Sequence, residues 1–173
     1  MGSNDEHGLF AQRAAVAVGC FGLDQLSKLW ALDALANDKM IPLLPTLKLD
    51  LFFNSGFSFS AGSGFGRLIG LLVVAMALFL IHLLRKEPTV RRGVLLAAIL
   101  GGAIGNLFDR LWRAEAGFLS GEVVDFINVS WFAVFNVADI FVVCGVILLA
   151  LLELIDPSVD DKPAIEDEAS ELG

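Results

Sequence analysis

Hydrophobic and polar positions are unevenly distributed along this chain. Residues 68–84, 93–108 and 140–152 carry no Asp, Glu, Lys or Arg. A fourth stretch, 14–32, is interrupted only by Asp24 and Lys28. About 20 mainly apolar residues cross a bilayer core as a helix. The pattern therefore predicts four transmembrane helices, near 12–31, 67–85, 93–112 and 136–155. Between the first and second, residues 47–53 (L-K-L-D-L-F-F) alternate in part and read as a strand. Gly56, Gly62, Gly64 and Gly66 then supply turns. Residues 121–129 are a second candidate extended stretch. The predicted fold is membrane all-α, a four-transmembrane-helix bundle with a small β-sheet resting on the membrane surface.

Composition agrees. The 173-residue chain is 56% hydrophobic, with a mean hydropathy of +0.73, more apolar than a soluble domain of this length. The first apolar segment lacks an A-x-A cleavage site and is broken by Asp24 and Lys28, so it reads as a retained helix. Residues 156–173 hold seven Asp/Glu against one Lys and are predicted to be disordered. This tail accounts for much of the net charge of −8, so the charge says little about partners. Nothing in the pattern calls for a nucleic-acid partner. Cys20 and Cys144 fall in predicted helices, without a Cys-x-x-Cys or Cys/His cluster. That argues against disulfides, a metal site or a cofactor.

The short connection 84–93 holds Arg85, Lys86, Arg91 and Arg92, which marks it as cytoplasmic. Over the whole chain Lys and Arg divide evenly between the two sides, so orientation rests on this loop. The expected organisation is a cytoplasmic segment 1–11, a membrane domain 12–155 and a cytoplasmic tail 156–173. The long connections, near 33–66 and 113–135, face outward. Asp24, Lys28, Asn54, Asn106, Asp109, Arg110, Asp125, Asn136 and Asp139 then converge at one depth, near the outer face.

From residue 126 to 152, Asp139 is the only charged side chain. An ionisable group within a membrane segment costs about 2.5–3.5 kcal/mol on insertion scales and signals function unless a partner explains it. Two neighbouring carboxylates share a proton and become an acid and a base. Alone, Asp125 also reads as a solvated loop carboxylate, and Asp139 as a residue favoured by a helix dipole. Asp24 and Lys28 are spaced i, i+4 and can pair, making the first helix tolerable to lipid or letting Lys28 snorkel; a role in positioning substrate is the other reading. Gly101 and Gly105 form G-x-x-x-G, a helix-packing pattern. Asn106, Asp109 and Arg110 make a polar helix end, where the Arg110 fork suits carbonyl or phosphate oxygens. Asn54-Ser55-Gly56 reads as a turn or as part of a site.

Five segments, in order, resemble the lipoprotein signal peptidases, the signal peptidase II family: D-Q-L-S-K at 24–28, N-S-G-F-S-F at 54–59, G-G-A-I-G-N-L-F-D-R at 101–110, V-V-D-F at 123–126 and F-N-V-A-D at 135–139. The resemblance spans about residues 12–155. It implies a four-helix intramembrane aspartic endopeptidase of the bacterial cytoplasmic (inner) membrane. Such enzymes remove signal peptides from diacylglyceryl-modified prolipoproteins, cutting just before the lipid-modified Cys. The implied catalytic pair is Asp125 and Asp139. Asn54, Gly56, Asn106, Arg110 and Asn136 are implied to line or support the site, with Asp24, Lys28 and Asp109 as supporting polar residues. An extracytoplasmic sheet that cradles substrate is implied as well. No metal or cofactor is implied; the partners are prolipoprotein substrates and membrane lipids, and the enzyme is a monomer. Phe57 and Ser58 stand where the family commonly has two Ala. Asn128 replaces a common Asp, and residues 131–134 lack a frequent Pro. Phe57 and Phe59 are expected to belong to a flap over the site.

Two other classes compete. A small proton- or cation-coupled transporter requires a polar path across the membrane, whereas the polar residues cluster at one end and no inverted repeat is present. A non-catalytic membrane scaffold requires Asp125 and Asp139 to be dispensable.

Overall fold

The computed structural model describes residues 3–55, 66–114 and 117–155. Four helices and three strands follow in the order α1 (Ser3–Ala34), β1 (Met40–Leu44), β2 (Leu47–Asn54), α2 (Gly66–Lys86), α3 (Val90–Trp112), β3 (Val123–Val129) and α4 (Val137–Ile155). The helices lie where the apolar runs predict them, except that α1 begins at Ser3 rather than near residue 12. By length and composition three of them can cross a membrane: Arg67–Lys86, Val90–Trp112 and Val137–Ile155. The fourth expected span, α1, is not among these, since Asp24, Gln25 and Lys28 lower its hydropathy. The acidic tail at 156–173 lies outside the described residues.

The α3 helix is the hub, packing against α1, α2 and α4. Its small residues make this possible. A Cβ on Gly101 would meet Cys20 Cβ of α1 at 2.9 Å, and one on Gly102 would meet the Ala138 carbonyl of α4 at 2.6 Å. On Gly105 it would run into the Asp24 carboxylate. The G-x-x-x-G pair thus faces α1, and backbones approach closely there. Away from the polar end, Ala77, Leu80, Leu96, Ile99 and Leu100 form an apolar core between α2 and α3. The outward faces of α2 and α4 remain apolar and exposed, including Leu71, Leu72, Met76 and Phe79, and Val143, Ile147 and Leu151. A continuous apolar face of this kind suits lipid rather than water.

At the α2–α3 turn, Arg13 of α1 donates to the carbonyls of Leu84 (3.0 Å), Glu87 (2.9 Å) and Thr89 (3.3 Å). This cation satisfies the Leu84 and Glu87 carbonyls that end α2 and joins Gly93 N–H on the N-cap carbonyl of α3, Thr89.

The strands form one antiparallel sheet, ordered β1-β2-β3. The partial alternation at 47–53 and the extended stretch at 121–129 thus become β2 and β3. β1 was not anticipated. Its M-I-P-L-L sequence does not alternate, and all five of its residues are exposed. Phe126 of β3 packs with Ala31 and Leu35 near the end of α1.

One irregularity matters for function. β2 pairs with β3 as Leu49↔Ile127, then as Phe52↔Asp125. Asp50 and Leu51 together oppose Phe126, which is a β-bulge. Side chains alternate strictly along a strand, so one inserted residue moves everything beyond it to the other face. The bulge therefore brings Asn54 onto the face that carries Asp125.

Candidate active site

Asp125 lies on β3 and is 2% exposed, so the solvated-loop reading does not hold. Its Oδ2 accepts from the Asn54 amide at 2.8 Å, and its Oδ1 accepts from the Asn136 amide at 2.6 Å. Burial, with a smaller contribution from the nearby Asp139 charge, pushes the Asp125 carboxyl up to about 6 against the opposing pull of the two amides and Lys28. Asn54 is the last residue of β2, and the predicted Asn54-Ser55-Gly56 turn runs into residues outside the described ones. Gly56, Phe57, Ser58 and Phe59 lie outside the described residues, as does any flap they form.

Asp139 sits in the first turn of α4, preceded by Asn136 as the N-cap. The Asn136 side-chain oxygen accepts from the Asp139 N–H, and the Asp139 carboxylate accepts from the Asn136 N–H, each at 3.1 Å. This is a capping box with Asp in the Glu position. Local sequence thus explains part of the placement of Asp139, as the helix-dipole reading requires. The remaining Asp139 oxygen accepts from the Asn106 amide of α3 at 2.9 Å. A third donor of the same helix end, Ala138 N–H, goes to Asp24 of α1 at 3.0 Å.

The segment before α4 reaches this position by folding back on β3. Phe126 and Ile127 N–H both donate to the Phe135 carbonyl, at 3.1 and 2.9 Å, and Phe135 N–H returns to Ile127 at 3.1 Å.

Lys28 is 1% exposed and does not snorkel. Its ammonium donates to Asp24 at 2.8 Å, to Asn106 at 2.9 Å and to Asp109 at 3.0 Å. An ammonium has three protons, and each has an acceptor. The predicted i, i+4 pair is present, enlarged by two residues of α3. Asp109 also accepts from Val124 N–H at 3.2 Å, tying α3 to β3. Arg110 is buried, donates to the Gly121 carbonyl at 3.3 Å and carries its charge near Asp125 and Asp109.

These groups border a cavity of about 230 Å³ lined by Asn54, Ile69, Val73, Asn106, Arg110, Val123, Asp125 and Asp139. Both carboxylates face one space, beside a guanidinium and an apolar wall. The α2 contribution, Ile69 and Val73, was not foreseen. Aliphatic residues in a membrane helix carry no individual signal. Among the described residues no group of three His, Cys, Asp or Glu is arranged to hold a metal ion.

The fold is shared with a bacterial membrane enzyme solved by the in meso method at 2.3 Å resolution, with a TM-score of 0.72, 24% identity, and coverage of 90% of this chain and 95% of that one. Two curated relatives are more informative. A lipoprotein signal peptidase from Bifidobacterium adolescentis is 40% identical over 161 residues, 92% of this chain and 85% of the relative. One from Mycobacterium avium is 38% identical over 141 residues, 81% and 77% of the two chains. A profile of the family described as Signal peptidase (SPase) II matches residues 16–155. This chain is a membrane peptidase by fold and family. It belongs to the signal peptidase II family.

Proposed function

We propose that this protein is an intramembrane aspartic endopeptidase whose catalytic pair is Asp125 and Asp139. As a signal peptidase II it removes signal peptides from lipoproteins. The observation that carries the aspartic reading is the bridge between the carboxylates. One Asn136 amide nitrogen donates both to Asp125 and to Asn106 (3.1 Å), and Asn106 donates to Asp139. Both acids border the same cavity.

In this mechanism the pair holds one proton. The raised Asp125 carboxyl carries it, and Asp139, held by N–H donors at the start of α4, serves as the base. Asp139 takes a proton from water as the oxygen attacks the scissile carbonyl, and Asp125 gives its proton to the carbonyl oxygen. The tetrahedral intermediate then collapses. The C–N bond breaks, the leaving nitrogen takes the proton from Asp139, and the new acid's hydroxyl proton returns to Asp125. Arg110 stands ready to hold a substrate carbonyl. Titration belongs to the pair rather than to either acid.

The substrates are diacylglyceryl-modified prolipoproteins, cut just before the lipid-modified Cys. Acyl chains lie against the apolar helices, and Ile69, Val73 and Val123 give the cavity its apolar wall. The enzyme sits in the bacterial inner membrane and acts as a monomer. α1 is the fourth span. Its charges at Asp24 and Lys28 are buried inside the bundle, while Val18, Leu23, Leu26, Leu29 and Trp30 face outward. The basic α2–α3 turn lies at the end opposite the site, which supports cytoplasmic termini with the site and sheet at the extracytoplasmic face.

Purified enzyme should cleave a diacylglyceryl prolipoprotein, with product masses locating the cut before the lipidated Cys. Equal cleavage of the unlipidated precursor would remove the proposed lipid requirement. A polar path through the apolar core would have favoured a transporter, but the residues between α2 and α3 away from the site are apolar.

A further inference from the structure

Lys28 touches neither Asp125 nor Asp139 through a hydrogen bond, yet it is buried, its charge reaches Asp125, and its partner Asn106 donates to Asp139. Of its three acceptors only one, the Asn106 side-chain oxygen, is uncharged. That oxygen also accepts from the Asn136 amide. Both groups facing it are donors only. Turning the Asn106 amide over would set its NH2 against an ammonium and another NH2, and its oxygen against the Asp139 carboxylate. Each contact would become repulsive.

The orientation is part of a closed circuit. Asn106 donates to Asp139, the Asp139 N–H donates to Asn136, and the Asn136 amide donates back to Asn106. All three bonds run the same way around. Hydrogen bonds in such circuits polarise one another. Lys28 enters from outside, at the Asn106 oxygen alone. An ammonium there draws electron density toward the oxygen and strengthens the N–H that Asn106 offers to Asp139.

We propose that Lys28 is a positioning residue for peptide cleavage: its ammonium fixes the direction of the Asn106 amide, and with it a one-way relay that presents only N–H donors to the protein side of Asp125 and Asp139. The inference rests on the aspartic reading above. Asp125 receives the amides of Asn54 and Asn136; Asp139 receives the Asn106 amide and the Asn136 N–H. The protein side of the pair is filled with donors that cannot take up a proton. The shared proton is thereby kept on the cavity side, where water and the scissile carbonyl meet. Asp24 and Asp109 hold Lys28 in place, and Gly105 leaves the room for Asp24 that a Cβ would fill.

The charged groups around Lys28 are Asp24 on its own helix, Asp109 and Arg110 on α3, Asp125 on β3 and Asp139 on α4. Replacing Lys28 alone would leave Asp24 and Asp109 buried without a counter-charge, and loss of folding would say nothing about the relay. The test therefore uses a neutral triple variant, Asp24→Asn/Lys28→Met/Asp109→Asn. Asn at 24 and 109 keeps an oxygen for the N–H groups of Ala138 and Val124. A second variant, Asn106→Asp, keeps Lys28 paired and keeps an acceptor for Asn136, but removes the donor to Asp139.

Both are assayed as full-length enzyme in detergent on a diacylglyceryl prolipoprotein peptide, with Asp125→Asn and Asp139→Asn in parallel. In each variant that keeps a near-native Tm, kcat should fall roughly 100-fold, the scale of a positioned proton-transfer group. KM should change little. In Asn106→Asp the acidic limb of the kcat profile should move up by about one pH unit, because the pair loses a donor and faces a further carboxylate. In the triple variant the lost ammonium and the two lost carboxylates act in opposite directions, and the fall in kcat at constant KM is the readout. One folded variant decides the matter. Wild-type kcat in either, or an unmoved acidic limb in a folded Asn106→Asp, would overturn the proposal and make Lys28 a structural counter-ion. If Asp125→Asn or Asp139→Asn cleaves at the wild-type rate, the aspartic reading itself fails. If both are inactive while the triple variant behaves as wild type, only the role of Lys28 falls.

Discussion

Asn136 and Asp139 hold each other reciprocally at the start of α4, side-chain oxygen to backbone N–H in both directions, at 3.1 Å each. A helix cap and a proposed catalytic carboxylate are thus the same structural unit. The Asn136 amide then reaches out at 2.6 Å to Asp125, so the cap also sets the relation between the two acids.

Removing either acid should stop chemistry without unfolding the protein. Asp125→Asn and Asp139→Asn each replace a proton-exchanging group by an amide of the same shape. Turnover should fall by roughly 10²–10⁴-fold or more. Circular dichroism in detergent should remain close to wild type, and both variants should still unfold cooperatively. Near-wild-type turnover by either variant would end the two-carboxylate mechanism.

Cutting the bridge is a different perturbation. Asn136→Ala removes the cap and leaves Asp125 short of a donor. Losing an N-cap costs about 0.5–2 kcal/mol, so both Tm and kcat should drop. Asn136→Asp should keep the cap but put a third carboxylate against Asp125 at 2.6 Å. It should therefore retain more stability than Asn136→Ala at low pH and lose that advantage as the pH rises. Thermal scans across pH 4.5 to 8.5 would show whether the two curves cross.

The raised Asp125 carboxyl has a calculable sign. Its folded value, about 6, lies above the ordinary 3.8. The folded state therefore binds the proton more tightly than the unfolded state. Stability associated with this group is fully present below about 3.8 and is lost as the pH rises through about 6. Asp125→Asn, which cannot ionise, should gain Tm relative to wild type between pH 4 and pH 8. The one-proton form of the pair disappears over the same range, so kcat/KM should decline on the alkaline side. Substrate excludes water and should move that decline to higher pH in kcat. A Tm difference independent of pH would contradict the assignment.

Close packing on α3 gives a stability test. Gly105→Ala should displace Asp24, whose carboxylate occupies the space of the new methyl group. Overpacking of this kind costs about 1–3 kcal/mol. Gly19→Ala in α1, where nothing lies within 4 Å of the added carbon, should be neutral or stabilising. Equal Tm values for the two variants would show that α1 and α3 can move apart freely.

Metal removal should do nothing. The donor groups among the described residues do not form a ligand set, and the proposed acid–base cycle moves only protons. EDTA should leave kcat/KM unchanged. Loss of activity restored by a divalent cation would point to a metallopeptidase.

The chain's local pattern determined a great deal. Apolar runs long enough for a bilayer have few other uses, so the helix positions followed from hydropathy. The ion pair of Asp24 and Lys28 followed from helical spacing. Asp125 and Asp139 stood out because charges are costly in apolar surroundings. The Gly101–Gly105 spacing announced a close helix contact, and α1 fills it.

Other features were settled only by contacts between distant segments. β1 carries no alternation because both its faces are open, so no periodic burial was imposed on its sequence. Asn54 shares a face with Asp125 through a bulge, and a bulge is a register between two strands rather than a property of either. Lys28 could be paired with Asp24 by counting residues. Its bonds to Asn106 and Asp109 depend on how α1 lies against α3. Ile69 and Val73 became cavity walls only when α2, packed on α3, faced β3 and the start of α4 across the cavity. Sequence fixes what is repeated along one segment, because each residue's neighbours there are set by the helix or strand period. The site is made between segments, where an ångström of helix approach or one inserted strand residue decides which polar groups meet.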